Sequence, residues 1–423
     1  MQNSETSQAA SEPISYWHRT APPFSLSSEL PRTVDVLVVG CGLFGAATGY
    51  WLARAGKQVA ILDRATVAYG ASGRNGGFVV AGMHEEYPAA IARLGQGVAR
   101  AVLSISYQNQ AILRQVLVEE GIDCHYREPG SLGLALGAEQ LAEVRKSVEV
   151  LQADGFDAQW LERAEVQELI RTPLGPEIVG GKFLQGQALV HSARLIQGLA
   201  QAAQRHGARV YQAQALHLAQ DGESVVVETT NGTIRAGAVV LATNAWTSEL
   251  IPEMRDVIVP VRGQIMAYAP TAPVFTTAVF ASLTATEEYW QQTLDGSIVL
   301  GGCRALAPGH DVGVWSCATT PEVQQGLERI FPRLFPQLSG LQVVQRWAGL
   351  MDFTPDRIPI VDRVPGVAGA WFVGGLSGHG MPFGMLIGQM LAEAVQTGRA
   401  PEALWPFQLN RKTLKNSSGS MVC

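Results

Sequence analysis

Residues 34–78 read VDVLVVGCGLFGAATGYWLARAGKQVAILDRATVAYGASGRNGGF. A run this apolar and this rich in glycine has three readings: a membrane span, a core segment, or a wrap around a phosphate. A span needs about 20 apolar residues in succession. Here Asp35 stands at the start, Arg54 and Lys57 at the end, and Gly40, Gly42 and Gly45 interrupt the middle. The pattern changes at those glycines. VDVLVVG is a short β-branched strand, FGAATGYWLARAG has helical spacing with a glycine at its end, and QVAILD is a second strand. The result is a βαβ unit. Its glycines have the G-x-G-x-x-G spacing, for a tight turn, close backbone approach to a pyrophosphate, and close packing of helix on strand. The helix N-terminus offers N–H groups to phosphates. Asp63 ends the second strand, where a carboxylate accepts ribose hydroxyls and disfavours a 2′-phosphate. A dinucleotide site is predicted, and NADP is not its ligand.

The bulk numbers agree with a well-buried enzyme. The chain has 423 residues, 47% apolar and 16% charged, which is too long for one simple core and predicts two interleaved domains. A net charge of −6 does not favour nucleic acid or anionic lipid as a partner. Cysteines at 41, 124, 303, 317 and 423 are scattered and contain no CxxC pair, so neither a metal site nor a disulfide framework is expected. A reducing, cytoplasmic location is the simplest expectation. Residues 1–30 are polar and carry no secretory pattern, no transmembrane segment is expected, and residues 410–423, NRKTLKNSSGSMVC, read as a frayed tail.

Directly after the βαβ unit comes GASGRNGG, residues 70–77. Its plain reading is a flexible surface turn, but Ser72 and Arg74 are placed to grip a diphosphate from its far side. This loop resembles the flavin contact segment of the D-amino-acid oxidase superfamily, the FAD-dependent amine and amino-acid oxidases. AGAVVLATNAWTSEL (236–250) resembles the strand of that family that closes on FAD. AWFVGGLSGHGMPFGMLIGQMLAEAV (370–395) resembles its strand, glycine loop and helix aimed at the flavin. The resemblance covers roughly residues 33–400. It implies non-covalent FAD, held by Gly40, Gly42, Phe44, Gly45, Asp63, Arg64, Ser72, Arg74, Asn75, Gly76, Gly77, Leu216, Thr243, Asn244, Trp246, Gly375, Ser377, Gly378, His379 and Gly380. The Gly374–Gly380 loop lacks a second dinucleotide fingerprint, so the electrons are expected to come from the organic substrate itself.

The expected fold class is α/β: a Rossmann-like FAD-binding domain (GR2-type) with a second α+β substrate domain on an antiparallel or mixed sheet. An N-terminal extension (1–32) precedes a discontinuous FAD-binding domain at 33–80, 155–250 and 345–400. The substrate domain takes 81–154 and 251–344, and 401–423 is a C-terminal tail. Hairpins are predicted at Asn231-Gly232 and Asp295-Gly296, in strands suited to a roof over the flavin. Helices at 90–120 and 138–152 are expected to cover that roof.

Amine oxidation by such an enzyme moves a hydride from an α-carbon to flavin N5 and leaves an imine that hydrolyses in water. QRWAGLMDFTPDRIPIVDR (345–363) resembles the family strand that enters the active site, and within the superfamily its W-x-G-x-x-D-x-T-x-x-R-x-P pattern is similar to γ-glutamylputrescine oxidases. Met351, Pro382 and Ala81 stand where relatives keep basic carboxylate anchors. The substrate therefore lacks a carboxylate beside the reacting amine, or binds it by another route. Gly349 stands where sarcosine oxidases tether FAD through a cysteine, and 251–344 holds no lysine to activate oxygen. Candidate catalytic residues are His379, Asp352 and Tyr289. Asp352 is alternatively an N–H-accepting turn residue; Tyr289 and Trp290 are read equally as a platform on which a cationic or apolar substrate stacks and as a core aromatic pair; His84 could face the flavin and Arg262 and Arg304 could reach the active site, but structural roles are the expectation for all three. A small-molecule amine or amino acid, with O2 or another electron acceptor, is the expected partner. Rival readings are a flavin dehydrogenase of amino acids and a non-catalytic flavin-binding subunit.

Overall fold

The computed structural model describes residues 14–27 and 29–416. Residues 1–13 of the N-terminal extension, residue 28, and residues 417–423 with Cys423 lie outside the described residues. Two eight-stranded sheets organise the rest. In the first, Thr33–Val39 is central. It runs parallel to Val59–Asp63 on one side and Gly232–Leu241 on the other, with Arg209–Gln212 and Ala370–Gly374 extending the parallel set. Leu37, Val38, Leu62 and Val240 are fully buried, as expected of parallel strands covered on both faces. Helix Leu43–Arg54 packs against Ser192–Arg205 and Gly384–Thr397. Its approach to the last is close: a Cβ added at Gly388 would lie 2.7 Å from the Ala47 Cβ.

The second sheet runs in the order Val343–Phe353, Val259–Tyr268, Ile298–Gly301, Glu288–Gln292, Ala278–Ala281, Ser131–Leu136, Ile178–Leu184, Ala158–Glu162. It is mixed, because Ala278–Ala281 runs parallel to Ser131–Leu136 while the other neighbours are antiparallel. Helices Pro321–Glu328 and Ile330–Leu334 contribute buried side chains to a core of Trp290, Phe275, Phe331 and Phe335. Strand alternation puts Trp290 into that core, with its ring 5.5 Å from Phe331. Tyr289 faces the other way, and Trp290 is therefore a core residue and no part of a substrate platform.

Several expected boundaries move. Ala158–Glu162 and Ile178–Leu184, assigned from sequence to the FAD-binding domain, pair in the second sheet, and so does Val343–Phe353. In these pairings Gly180 and Gly181 leave room for Trp160 and Leu132, since a Cβ at either would lie under 3 Å from those side chains. The hairpin at Asn231-Gly232 forms, but in the first sheet, while the Asp295-Gly296 hairpin forms in the second. Helix Gln96–Glu119 does not cover the roof. Its buried side chains join the core of the first sheet, and Asn109 Oδ1 accepts the Met385 and Leu386 N–H groups at the start of the last long helix.

The ends are also better held than expected. Tyr16–Thr20 forms a short helix with Tyr16 and Trp17 buried. Arg411 makes a buried ion pair with Asp356, its Nε 2.7 Å from Oδ2, so the start of the C-terminal tail is fixed. No described helix is long and apolar enough to cross a membrane.

Candidate active site

A cleft of about 300 Å³ opens at the carboxyl ends of the central parallel strands. That is where open α/β sheets place their ligands. Val39, Leu62 and Val373 form an apolar floor, and the Gly40–Leu43 turn and Asp63 stand along it. Gly40 holds φ +98°, and a Cβ there would lie 2.3 Å from the Ala242 carbonyl oxygen. A Cβ at Gly45 would lie 1.8 Å from the Gly40 carbonyl oxygen. Both positions therefore demand glycine. Asp63 accepts the Cys41 and Ala65 N–H groups, each at 2.9 Å. Burial raises its pKa, and those two bonds oppose the rise. Arg64 stacks on Trp246, 3.7 Å from the ring centroid, and both line the cleft with Leu216, Thr243 and Asn244. Ser72 Oγ accepts the Leu43 N–H at the helix start, 2.9 Å away. A helix N-terminus, a turn that only glycine allows, and an acid at the second strand end fit a dinucleotide.

The loop from Ala68 to Gly77 forms the far side. Arg74 is buried and lies outside the cleft lining. Its Nε and Nη1 donate to the carbonyls of Tyr69 and Ala348, each at 3.0 Å. Asn75 Oδ1 accepts from Gly77 N and Ser192 Oγ, again shaping the loop. The second sheet holds the tip: Gln291 Nε2 donates to the Gly76 and Gly77 carbonyls at 2.6 and 3.0 Å. The N-terminal helix holds it from behind. Trp17 Nε1 donates to the Asn75 carbonyl at 2.6 Å, and His18 Nε2 contacts the Ala68 carbonyl at 2.9 Å. Sequence reasoning missed Gln291 and the part played by Trp17. Their partners are remote in the chain, so no local pattern marks them.

Across from this loop, Val343–Phe353 brings Met351 and Asp352 to the Gly374–Gly380 turn. Asp352 is fully buried, and its carboxylate accepts the Gly375 and Leu376 N–H groups at 2.6 and 3.1 Å, while its carbonyl accepts Ser377 N–H. Burial pushes its pKa up to about 7 against those bonds. Of the two readings of Asp352, the turn-holding one matches this geometry. Gly375 and Gly378 hold positive φ, and so does Ser377 at 50°. His379 is half-buried, its pKa lowered by burial, and its ring stands 5.7 Å from that of His84. Tyr289 packs edge-on to Phe78 at 5.5 Å, and a Cβ at Gly76 would lie 3.0 Å from its ring. Burial pushes the Tyr289 hydroxyl pKa up to about 12. Arg262 pairs with buried Asp311 at 2.7 Å, the structural role expected of it.

Gly40, Gly42, Phe44, Asp63, Arg64, Ser72, Leu216, Thr243, Asn244 and Trp246 thus share one cleft, together with Tyr69, Gln214 and Leu376, which the sequence reading omitted. Gly45 lies beneath the turn. Gly76, Gly77, Gly375, Ser377, Gly378, His379 and Gly380 occupy the two loops beyond it.

A family of FAD dependent oxidoreductases matches residues 35–394 of the chain. The chain belongs to this family. Gamma-glutamylputrescine oxidoreductase of Escherichia coli is 28% identical over 384 residues, covering 88% of this chain and 86% of the relative. Glycine oxidase of Geobacillus kaustophilus is 26% identical over 385 residues, covering 89% and 97%. The crystal structure of that glycine oxidase superposes with a TM-score of 0.78 at 24% identity, covering 90% of this chain and 99% of the other. L-proline dehydrogenase of P. horikoshii superposes at 0.77 with 20% identity, covering 89% and 98%, a likeness of fold. The chain is an FAD-dependent oxidoreductase with FAD as its cofactor, and the expected α/β class with a Rossmann-like domain holds.

Proposed function

We propose that this oxidoreductase acts on the C–N bond of an amine, at a CH–NH or CH–NH2 group. A polyamine conjugate of the kind named for the Escherichia coli relative is the favoured substrate class. One observation carries the reading: a single glycine fingerprint feeds a cleft that extends to Leu376, in the loop pinned by Asp352. With one fingerprint there is one dinucleotide, so the reductant is the substrate. Bound FAD supplies the two-electron acceptor for the amine C–H at its N5, without a covalent tether, and O2 or another acceptor reoxidises it.

The protein's part is positioning. Asp352 holds the N–H groups of Gly375 and Leu376 in place, and Ser377 adopts a left-handed conformation that this anchor stabilises. Gln291 and Trp17 hold the opposite loop. Tyr289, whose ring abuts Gly76, Met351, whose sulfur abuts Gly378, and His379 are half-buried, and they are the side chains in this account that orient the amine carbon. Asp352 is a positioning residue in this account.

A second acceptor class is favoured by one feature. Among the described strands of the second sheet the sole lysine is Lys182, which is paired with Glu86. No lysine therefore stands on the strands over the flavin to activate oxygen. Purified, FAD-loaded protein mixed anaerobically with polyamines, their N-acyl conjugates, N-methyl amines and amino acids tests the function. Bleaching of the flavin band by an amine is expected, and a panel that leaves the band unchanged contradicts it. Admitting air then separates an oxidase, with prompt recovery and peroxide, from a dehydrogenase that needs a quinone or dye.

A further inference from the structure

Helix Gly384–Thr397 begins at the FAD cleft. A Cβ added at Gly384 would lie 2.3 Å from Leu43 Cγ, and one at Gly380, in the turn before the helix, 3.2 Å from the ring of Phe44. Leu43 and Phe44 both line the cleft. The first N–H groups of a helix have no partner within it, and together they form the positive end of its dipole. Here two of them are taken. Met385 and Leu386 N–H donate to Asn109 Oδ1 at 2.9 and 3.0 Å, across from helix Gln96–Glu119.

Asn109 is fully buried, and half of its amide is idle. Among the described residues its Nδ2 has no hydrogen-bond partner. The two helix donors fix Oδ1 toward the helix, because turning the amide over would set its NH2 against N–H groups and lose both bonds. A buried NH2 without an acceptor is costly, and native structures tolerate few. Aspartate would avoid that cost. It is acceptor-only, it would keep both bonds, and a helix N-terminus favours its charge. This chain builds such an arrangement close by: buried Asp352 accepts the Gly375 and Leu376 N–H groups at 2.6 and 3.1 Å, in the turn that leads to the same helix. Asn109 is its neutral counterpart, and it carries an unsatisfied donor where an acid would carry none.

Neutrality preserves the positive end of the helix. FAD gains two electrons when it is reduced, and the reduced ring carries negative charge, which a helix N-terminus stabilises. We propose that Asn109 is a positioning residue for the flavin: a neutral cap that fixes the start of helix Gly384–Thr397 and leaves the positive field of that helix to the reduced ring. A carboxylate in its place would keep the two bonds and cancel much of the field. The inference requires FAD as the cofactor and holds whichever amine is oxidised.

The test is the midpoint potential of FAD in the purified holoprotein, measured by equilibration with a reference dye. It is made at about pH 8.5, above the value of about 7 to which burial raises a carboxyl placed like that of Asp352. Asn109→Asp should disfavour the reduced flavin by about tenfold or more, ~30 mV for a two-electron couple. Asn109→Leu, of similar size, removes the carbonyl dipole and frees two N–H groups, so it should favour the reduced flavin by about twofold or more. Sulfite, which adds to flavin N5 and leaves a negative ring, gives a second readout. Its Kd should rise by about tenfold in Asn109→Asp and fall in Asn109→Leu. A role confined to packing would loosen the helix in both variants and move both readouts in one direction, and that result would overturn the proposal. So would a potential and a sulfite Kd within about twofold of wild type in Asn109→Asp. Where one variant does not retain FAD, the sign in the other decides. Flavin that no amine bleaches defeats the functional reading and leaves this inference standing.

Discussion

Asp352 carries a raised pKa because it is buried, yet its two oxygens hold the Gly374–Gly380 loop through the Gly375 and Leu376 N–H groups. A carboxyl group whose folded pKa lies above its unfolded one binds more protons when folded, so its stabilising contribution is complete below the unfolded value and is lost as pH rises through about 7. Asp352→Asn removes that dependence and turns an amide N–H toward the loop donors. The variant should be less stable by about 1–3 kcal/mol. Urea unfolding should show the deficit widest near pH 4–5 and narrowing toward neutrality, and a deficit that grows with pH would mean the carboxyl is depressed instead. At the glycine turn the argument is steric. Gly45→Ala places a methyl 1.8 Å from the Gly40 carbonyl, and the turn must open to admit it. The purified variant should lose most of its FAD, read as the flavin-to-protein absorbance ratio, with a stability cost of about 1–3 kcal/mol. Full flavin content in this variant would show that the turn is not the cofactor cradle.

At the scale of elements, the Tyr16–Thr20 helix binds the Ala68–Gly77 loop through Trp17 and His18, and reaches the Asp295 turn through Tyr16, 2.8 Å from its carboxylate. Trp17→Ala should cost about 3–5 kcal/mol, as large buried aromatics do. It should also weaken FAD binding, measured by flavin released on dilution. Unchanged FAD affinity with lowered stability would make the helix a packing element only. The same scale explains what the sequence disclosed. The Thr33–Val39 strand, the glycine turn and Leu43–Arg54 follow from local pattern, because each residue type there serves its own neighbours. Gln291, Trp17 and Asn109 join residues far apart in the chain, and no periodicity marks them. Ala158–Glu162 pairs with Ile178–Leu184 in the second sheet, and which sheet a strand joins depends on partners distant in the chain, beyond any local signal. The buried Asp356–Arg411 pair likewise links a turn to a terminus that reads as frayed.

For the whole molecule, the two sheets meet at the loops 68–77 and 374–380 and the strand Val343–Phe353, so bound FAD should stabilise the entire fold. Added FAD should raise the Tm of flavin-depleted protein in a concentration-dependent way, as expected for a ligand that binds only the native state. The cysteines at 41, 124, 303 and 317 are buried and free, and position 349 is a glycine. Acid precipitation should therefore leave the flavin in the supernatant, whereas yellow precipitate would reveal a covalent bond. The most direct test of the central claim, an amine-oxidising flavin site clamped by these loops, is anaerobic titration of the yellow holoprotein with amines while the flavin band is recorded. The account predicts stoichiometric bleaching by at least one amine. Flavin that stays oxidised across the whole amine and amino-acid panel would contradict it.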